Sequence, residues 1–145
     1  MRLMLALGGI AMLGACSKPP ELAVDNAWVR LGAVPRRPAA AYFTVHGGPT
    51  DATLINVTTD VAIRAEMHES MQSGTMASMK PIASVAIPAK TDVAFKPGGR
   101  HVMLFSMNPG IKPGDRRITL TLTFSDGSRI LQNADVVGAG DPGPA

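Results

Sequence analysis

Apolar and polar positions alternate along most of this chain in runs too short for helices. Residues 27–31 (AWVRL), 39–46 (AAAYFTVH), 53–58 (TLINVT), 61–68 (VAIRAEMH) and 82–87 (IASVAI) each read as a strand bounded by turn residues. The same holds for 92–96 (DVAFK), 101–107 (HVMLFSM), 117–124 (RITLTLTF) and 129–137 (RILQNADVV). No window keeps a 3.6-residue apolar period over helical length. Asp126-Gly127 marks a tight hairpin between the last two strands. Nine short strands at this spacing predict an all-β sandwich, a single domain over residues 26–137. Two stretches stand outside the pattern. Residues 69–80, rich in Ser, Gly and Thr, are expected as a surface connection, and residues 138–145 (GAGDPGPA) as a flexible tail.

The N-terminus differs in kind. Residues 1–15 (MRLMLALGGIAMLGA) carry one positive charge at Arg2 and then only apolar and small side chains. As a helix this run spans roughly 20 Å, short of the roughly 30 Å hydrocarbon core, so it reads as an export signal rather than a membrane span. It ends Leu13-Gly14-Ala15-Cys16, which is similar to the lipobox of bacterial lipoproteins. That likeness implies cleavage before Cys16, lipidation of Cys16 and a tether over residues 16–25, whose SKPPE discourages regular structure. The expected product is a periplasmic, membrane-anchored lipoprotein. Ser17 after Cys16 favours the outer membrane over the inner.

Cys16 is the only cysteine. With it lipidated, the chain has no disulfide, no Cys-x-x-Cys redox pair and no thiolate for a blue-copper centre, which argues against electron transfer. The formal net charge of +3, with no basic run longer than two, argues against nucleic-acid binding. Gly98-Gly99-Arg100 lacks the pattern of a phosphate loop, the carboxylates are scattered, and no serine sits in a nucleophile elbow. The expectation is a monomeric protein that is not an enzyme.

The distinctive chemistry lies between residues 67 and 107. Of nine methionines, the six beyond the leader all fall here: Met67, Met71, Met76, Met79, Met103 and Met107, with His68 and His101 among them. Thioether is a soft, uncharged donor suited to Cu(I), whereas Zn(II) prefers thiolate, imidazole or carboxylate and Ca(II) wants hard oxygens. His101 and Met103, at i and i+2 of a predicted strand, would share one face, with Val102 and Leu104 turned to the other.

His68, Met79, His101 and Met103 form the pattern H-x10-M-x21-H-x-M. This pattern, with Ala65-Glu66-Met67-His68 before it and Pro97-Gly98-Gly99-Arg100 within it, resembles the PCuAC family of periplasmic copper chaperones over roughly residues 27–124. The resemblance implies a cupredoxin-like Greek-key β-sandwich that binds Cu(I) through those four residues. It also implies delivery to a copper-accepting oxidase subunit, typically the Cu-A centre of cytochrome c oxidase, or to another copper carrier. A copper-buffering protein without a dedicated acceptor would use the same ligands, and a metal-free structural lipoprotein would use none. Met71 and Met76 are expected at the rim of the site, Met67 in the core and Met107 in packing. His46 is expected to close a strand away from the metal.

Overall fold

The computed structural model describes residues 20–115 and 118–144. The leader, Cys16 and residues 17–19 of the expected tether therefore lie outside the described residues, as does Arg117. Among the described residues there are ten strands and no helix. In chain order they are β1 (Ala23–Arg30), β2 (Ala39–His46), β3 (Ala52–Thr59), β4 (Ala62–Ser73) and β5 (Met76–Pro81). Then come β6 (Val85–Ile87), β7 (Asp92–Phe95), β8 (Arg100–Met107), β9 (Ile118–Phe124) and β10 (Arg129–Val137).

Hydrogen-bonded neighbours run β5-β4-β8-β2-β1-β10-β9-β3-β6, with β7 also on β2. Strands adjacent in space are mostly distant in sequence, as in a Greek key, and β1 meets β10 in parallel. One buried cluster draws Val29, Phe43, Val45, Val102 and Leu104 from the first half of this path and Leu54, Ile87, Leu120, Leu122 and Phe124 from the second. The path is thus closed over a common core, giving the cupredoxin-like β-sandwich. Alternation explains the assignment: in β9, ITLTLTF, each apolar side chain is buried and each threonine is turned outward.

β2 and β10 have the expected limits, and the hairpin at Asp126-Gly127 closes with Gly127 at φ 84° and its N–H donating to Phe124 O at 2.9 Å. Three boundaries differ by more than one residue. β1 begins at Ala23, so the tether expected to run to residue 25 loses its last residues to the sheet, and Leu22 already packs on the core. Of the run 82–87 only Val85–Ile87 is strand. Most consequential for the site, residues 69–80 are not an irregular connection. β4 continues to Ser73, turns through Gly74-Thr75 and returns as β5, with Ser73 opposite Met76. Gly74 has φ 59°, the conformation a two-residue hairpin turn demands at its first position. β5 is exposed along its whole length, so no hydrophobic alternation could have announced it.

The segment after β10 also has contacts. Gly138 N–H donates to Asp141 Oδ2 at 2.8 Å, and Gly143 lies so close to Trp28 that an added Cβ would come within 2.5 Å of the indole.

Candidate metal centre

Register places the four predicted donors. On the β4–β8 pair His68 stands directly opposite His101, and Glu66 opposite Met103. On the β4–β5 pair Ser70 stands opposite Met79. Cross-strand partners share a face, as do residues two apart on one strand, so His68, Met79, His101 and Met103 all belong to one face of the β5-β4-β8 sheet. The opposite face is fixed by packing. Met67, Val102 and Leu104 are buried in the core, and this leaves their strand neighbours His68, His101 and Met103 on the side away from it.

The geometry within this cluster is close. His101 Nε2 lies 3.1 Å from Met79 Sδ, and the His68 and His101 rings have centroids 5.9 Å apart. His101 is only 5% exposed although polar, walled by Tyr42, His68 and Met79. Its Nδ1–H donates to Gly99 O at 3.1 Å, which leaves the Nε2 lone pair directed at the Met79 sulfur. Two electron-pair donors held this close make an arrangement that a soft cation satisfies.

His68 is held differently. Its Nε2–H donates to Glu66 Oε2 at 3.1 Å, and Glu66 Oε1 in turn pairs with Arg64 Nη1. The Arg64 guanidinium lies over the Phe105 ring, 4.0 Å from its centroid. His68 Nδ1 is buried and has no hydrogen-bond partner in the protein. A buried imidazole nitrogen left bare is costly, on the order of 1–3 kcal/mol, unless something binds it.

Among the described residues no three or more His, Cys, Asp or Glu side chains gather into a metal-binding group. On this face the imidazoles of His68 and His101 have the thioether of Met79 beside them. Two neutral imidazoles and two thioethers add no charge, so a bound Cu(I) would keep a net charge near +1, which costs less to bury than a dication.

The remaining sulfur and imidazole groups lie elsewhere. Met67 is buried on the core side, and Met107 packs against the core from its edge. Met71 and Met76 are exposed on the hairpin, but by strand alternation they project from the face opposite Met79. They therefore do not rim the face that carries the four donors, contrary to the sequence-based expectation. His46 closes β2 between two carboxylates, with Nε2 2.8 Å from Asp25 Oδ1 and Nδ1 2.7 Å from Asp92 Oδ1. These partners, Asp25 foremost, raise its pKa above the ordinary histidine value.

Sequence reasoning missed Glu66, Arg64 and Tyr42. The first two had a visible signal: Arg64, Glu66 and His68 share strand parity. Tyr42 enters only through the pairing of β2 with β8, and burial raises its phenol pKa.

Fold and donor set together define a class: a cupredoxin-like β-sandwich carrying a histidine and methionine cluster on one sheet face. Residues 22–136 match the family model described as "Putative lipoprotein LpqE-like", and the chain belongs to this LpqE-like family. It is 32% identical over 107 residues to "Putative lipoprotein Lxx21020" of Leifsonia xyli subsp. xyli, covering 72% of this chain and 63% of that protein. It is 28% identical over 100 residues to the uncharacterized protein RP573 of Rickettsia prowazekii, covering 68% of this chain and 55% of that one. The chain thus spans less than two thirds of the length of these curated relatives.

Among solved structures, the solution structure of CuI-DR1885 from Deinococcus radiodurans superposes with a TM-score of 0.64 at 28% identity, over 86% of this chain and 83% of that one. The copper-bound PCuAC domain from PmoF2 superposes with a TM-score of 0.66 at 19% identity, over 84% and 97% respectively. The second of these supports the fold alone.

Proposed function

We propose that this protein is an extracytoplasmic Cu(I) carrier, anchored to a membrane through lipidated Cys16, that delivers copper to a respiratory oxidase. The observation that carries this reading is the approach of His101 Nε2 to Met79 Sδ, on the sheet face that also bears His68 and Met103. The likeness to CuI-DR1885 supports the metal and its oxidation state. In an oxidising compartment a thioether and imidazole site holds Cu(I) without offering a thiol that would oxidise to a disulfide.

The structure of the site suits transfer rather than storage or catalysis. Met79 is 57% exposed on a hairpin that adds little to the core, so its sulfur can exchange with a donor from an acceptor while His68 and His101 keep their hold. The acceptor we propose is the Cu-A centre of cytochrome c oxidase. Ser17 after Cys16 favours the outer membrane over the inner for this anchor, and the proposed carrier is a monomer that catalyses no reaction.

Anaerobic titration with Cu(I), followed by incubation of the loaded protein with an apo oxidase copper domain, tests both parts. One Cu(I) should bind per chain and pass to the acceptor. Tight binding without transfer would make the protein a buffer, and an absence of Cu(I) binding would leave a structural lipoprotein.

A further inference from the structure

We propose that Glu66 is a positioning residue that fixes the tautomer of His68, so that His68 presents Nδ1 to the metal while His101 presents Nε2. The proposal rests on the Cu(I) reading of this face and adds to it which nitrogen binds and what selects it.

A neutral imidazole has one N–H and one lone pair, and the group that accepts the N–H decides where the lone pair is. For His68 the acceptor is Glu66 Oε2, 3.1 Å from Nε2. The lone pair therefore sits on Nδ1, the nitrogen that is buried and has no protein partner. For His101 the acceptor is Gly99 O, 3.1 Å from Nδ1, so its lone pair sits on Nε2, facing Met79 Sδ. The two rings stand opposite each other in register yet offer different nitrogens. The difference arises because one acceptor is a side chain on β4 and the other a backbone carbonyl at the start of β8.

The alternative, ligation of His68 through Nε2, requires that the Glu66 contact be broken. It would also leave Nδ1 buried with its N–H unmatched, because no acceptor lies beside it. Glu66 is itself restrained: Arg64 holds Oε1, and Phe105 supports the Arg64 guanidinium from below. Arg64, Glu66 and His68 follow one another at alternate positions of β4, and Phe105 stands opposite Arg64 on β8, so a single sheet face carries the relay. Such outer partners of metal-binding histidines commonly account for about 10- to 100-fold in metal affinity.

The test uses the full chain, 15N-labelled and purified in detergent, with long-range 1H–15N spectra of its histidines. Ag(I) serves as a redox-inert probe of the soft-metal site. Without metal, His68 should show its proton on Nε2. With one equivalent of Ag(I), the large shifts should fall on His68 Nδ1 and His101 Nε2.

Glu66→Ala should release His68 into a mixture of tautomers and weaken Cu(I) binding about 10-fold with the fold intact. Glu66→Gln, whose amide oxygen still accepts the Nε2 proton, should retain most of the affinity. A metal-induced shift on His68 Nε2, or a His68 tautomer indifferent to Glu66→Ala, would overturn the positioning role and leave the metal site standing. A His68 that responds to Ag(I) at neither nitrogen would overturn the site and this proposal together.

Discussion

His101 and Met79 approach to 3.1 Å although they lie on β8 and β5, the two strands that flank β4 rather than pair with each other. β4 sets their distance, since it fixes the register of both neighbours. Met79→Ala or Met103→Ala should therefore weaken Cu(I) binding by about tenfold or more, equivalent to about 1.4 kcal/mol. The double replacement Met71→Leu and Met76→Leu should change it less than about twofold, because those sulfurs project from the other face. Competition with a colourimetric Cu(I) chelator under anaerobic conditions distinguishes these outcomes, and unchanged affinity in Met79→Ala would remove Met79 from the site.

The methionines should also separate by stability. Met67 is buried among core side chains, and Met67→Ala should cost about 2–5 kcal/mol by leaving a cavity. Met76 is 74% exposed, and Met76→Ala should stay within about 0.5 kcal/mol of wild type. Urea unfolding midpoints at constant m-value give the comparison.

The hairpin that carries Met79 can be disturbed without unfolding the domain. At φ 59° Gly74 occupies a conformation closed to β-branched residues, so Gly74→Val should distort the turn. Cu(I) affinity should fall by about 3- to 10-fold, while the melting temperature moves by less than about 3 °C because β5 buries almost nothing. A large loss of melting temperature with unchanged affinity would mean that the hairpin supports the core rather than the metal.

His46 should give the domain a pH-dependent stability of its own. Asp25 and Asp92 raise its folded pKa above the ordinary histidine value of about 6.5, so the folded state binds its proton more tightly than the unfolded chain does. This stabilisation is fully present below about pH 6.5 and is lost as pH rises through the raised folded value. Melting temperature in the metal-free protein should fall across that window, and His46→Gln should flatten the fall. An identical pH profile in the variant would show that the clamp contributes nothing.

Membrane attachment should depend on one side chain. Cys16→Ser removes the only thiol that could accept lipid, and it should release the protein from the membrane fraction or block its processing. More than one acyl chain is needed for stable anchoring. Mass spectrometry of the mature N-terminus and fractionation of cells check this, and an unmodified soluble wild-type protein would end the lipoprotein reading.

What the sequence determined is what alternation and spacing can encode. Period-two patterning marked every strand that turns one side to the core, which is why β2, β9 and β10 were legible from residues such as Phe43, Leu120 and Val136. The same alternation put His101 and Met103 on one face, because Val102 and Leu104 had to be inside. The spacing of His68, Met79, His101 and Met103 carries the likeness to copper chaperones by itself.

Tertiary structure decided whatever depends on strands meeting. β5 is exposed along its length, so burial imposed no pattern on its sequence, and only its pairing with β4 revealed that Met79 rides a hairpin with Met71 and Met76 on the reverse side. Which nitrogen each histidine offers was equally hidden, since it depends on the acceptor beside each ring: Glu66 for His68, the Gly99 carbonyl for His101. A linear pattern records which donors a chain carries and their parity along a strand. Register, burial and hydrogen-bond direction exist only once β4 lies between β5 and β8, and they determine which of those donors can reach one ion.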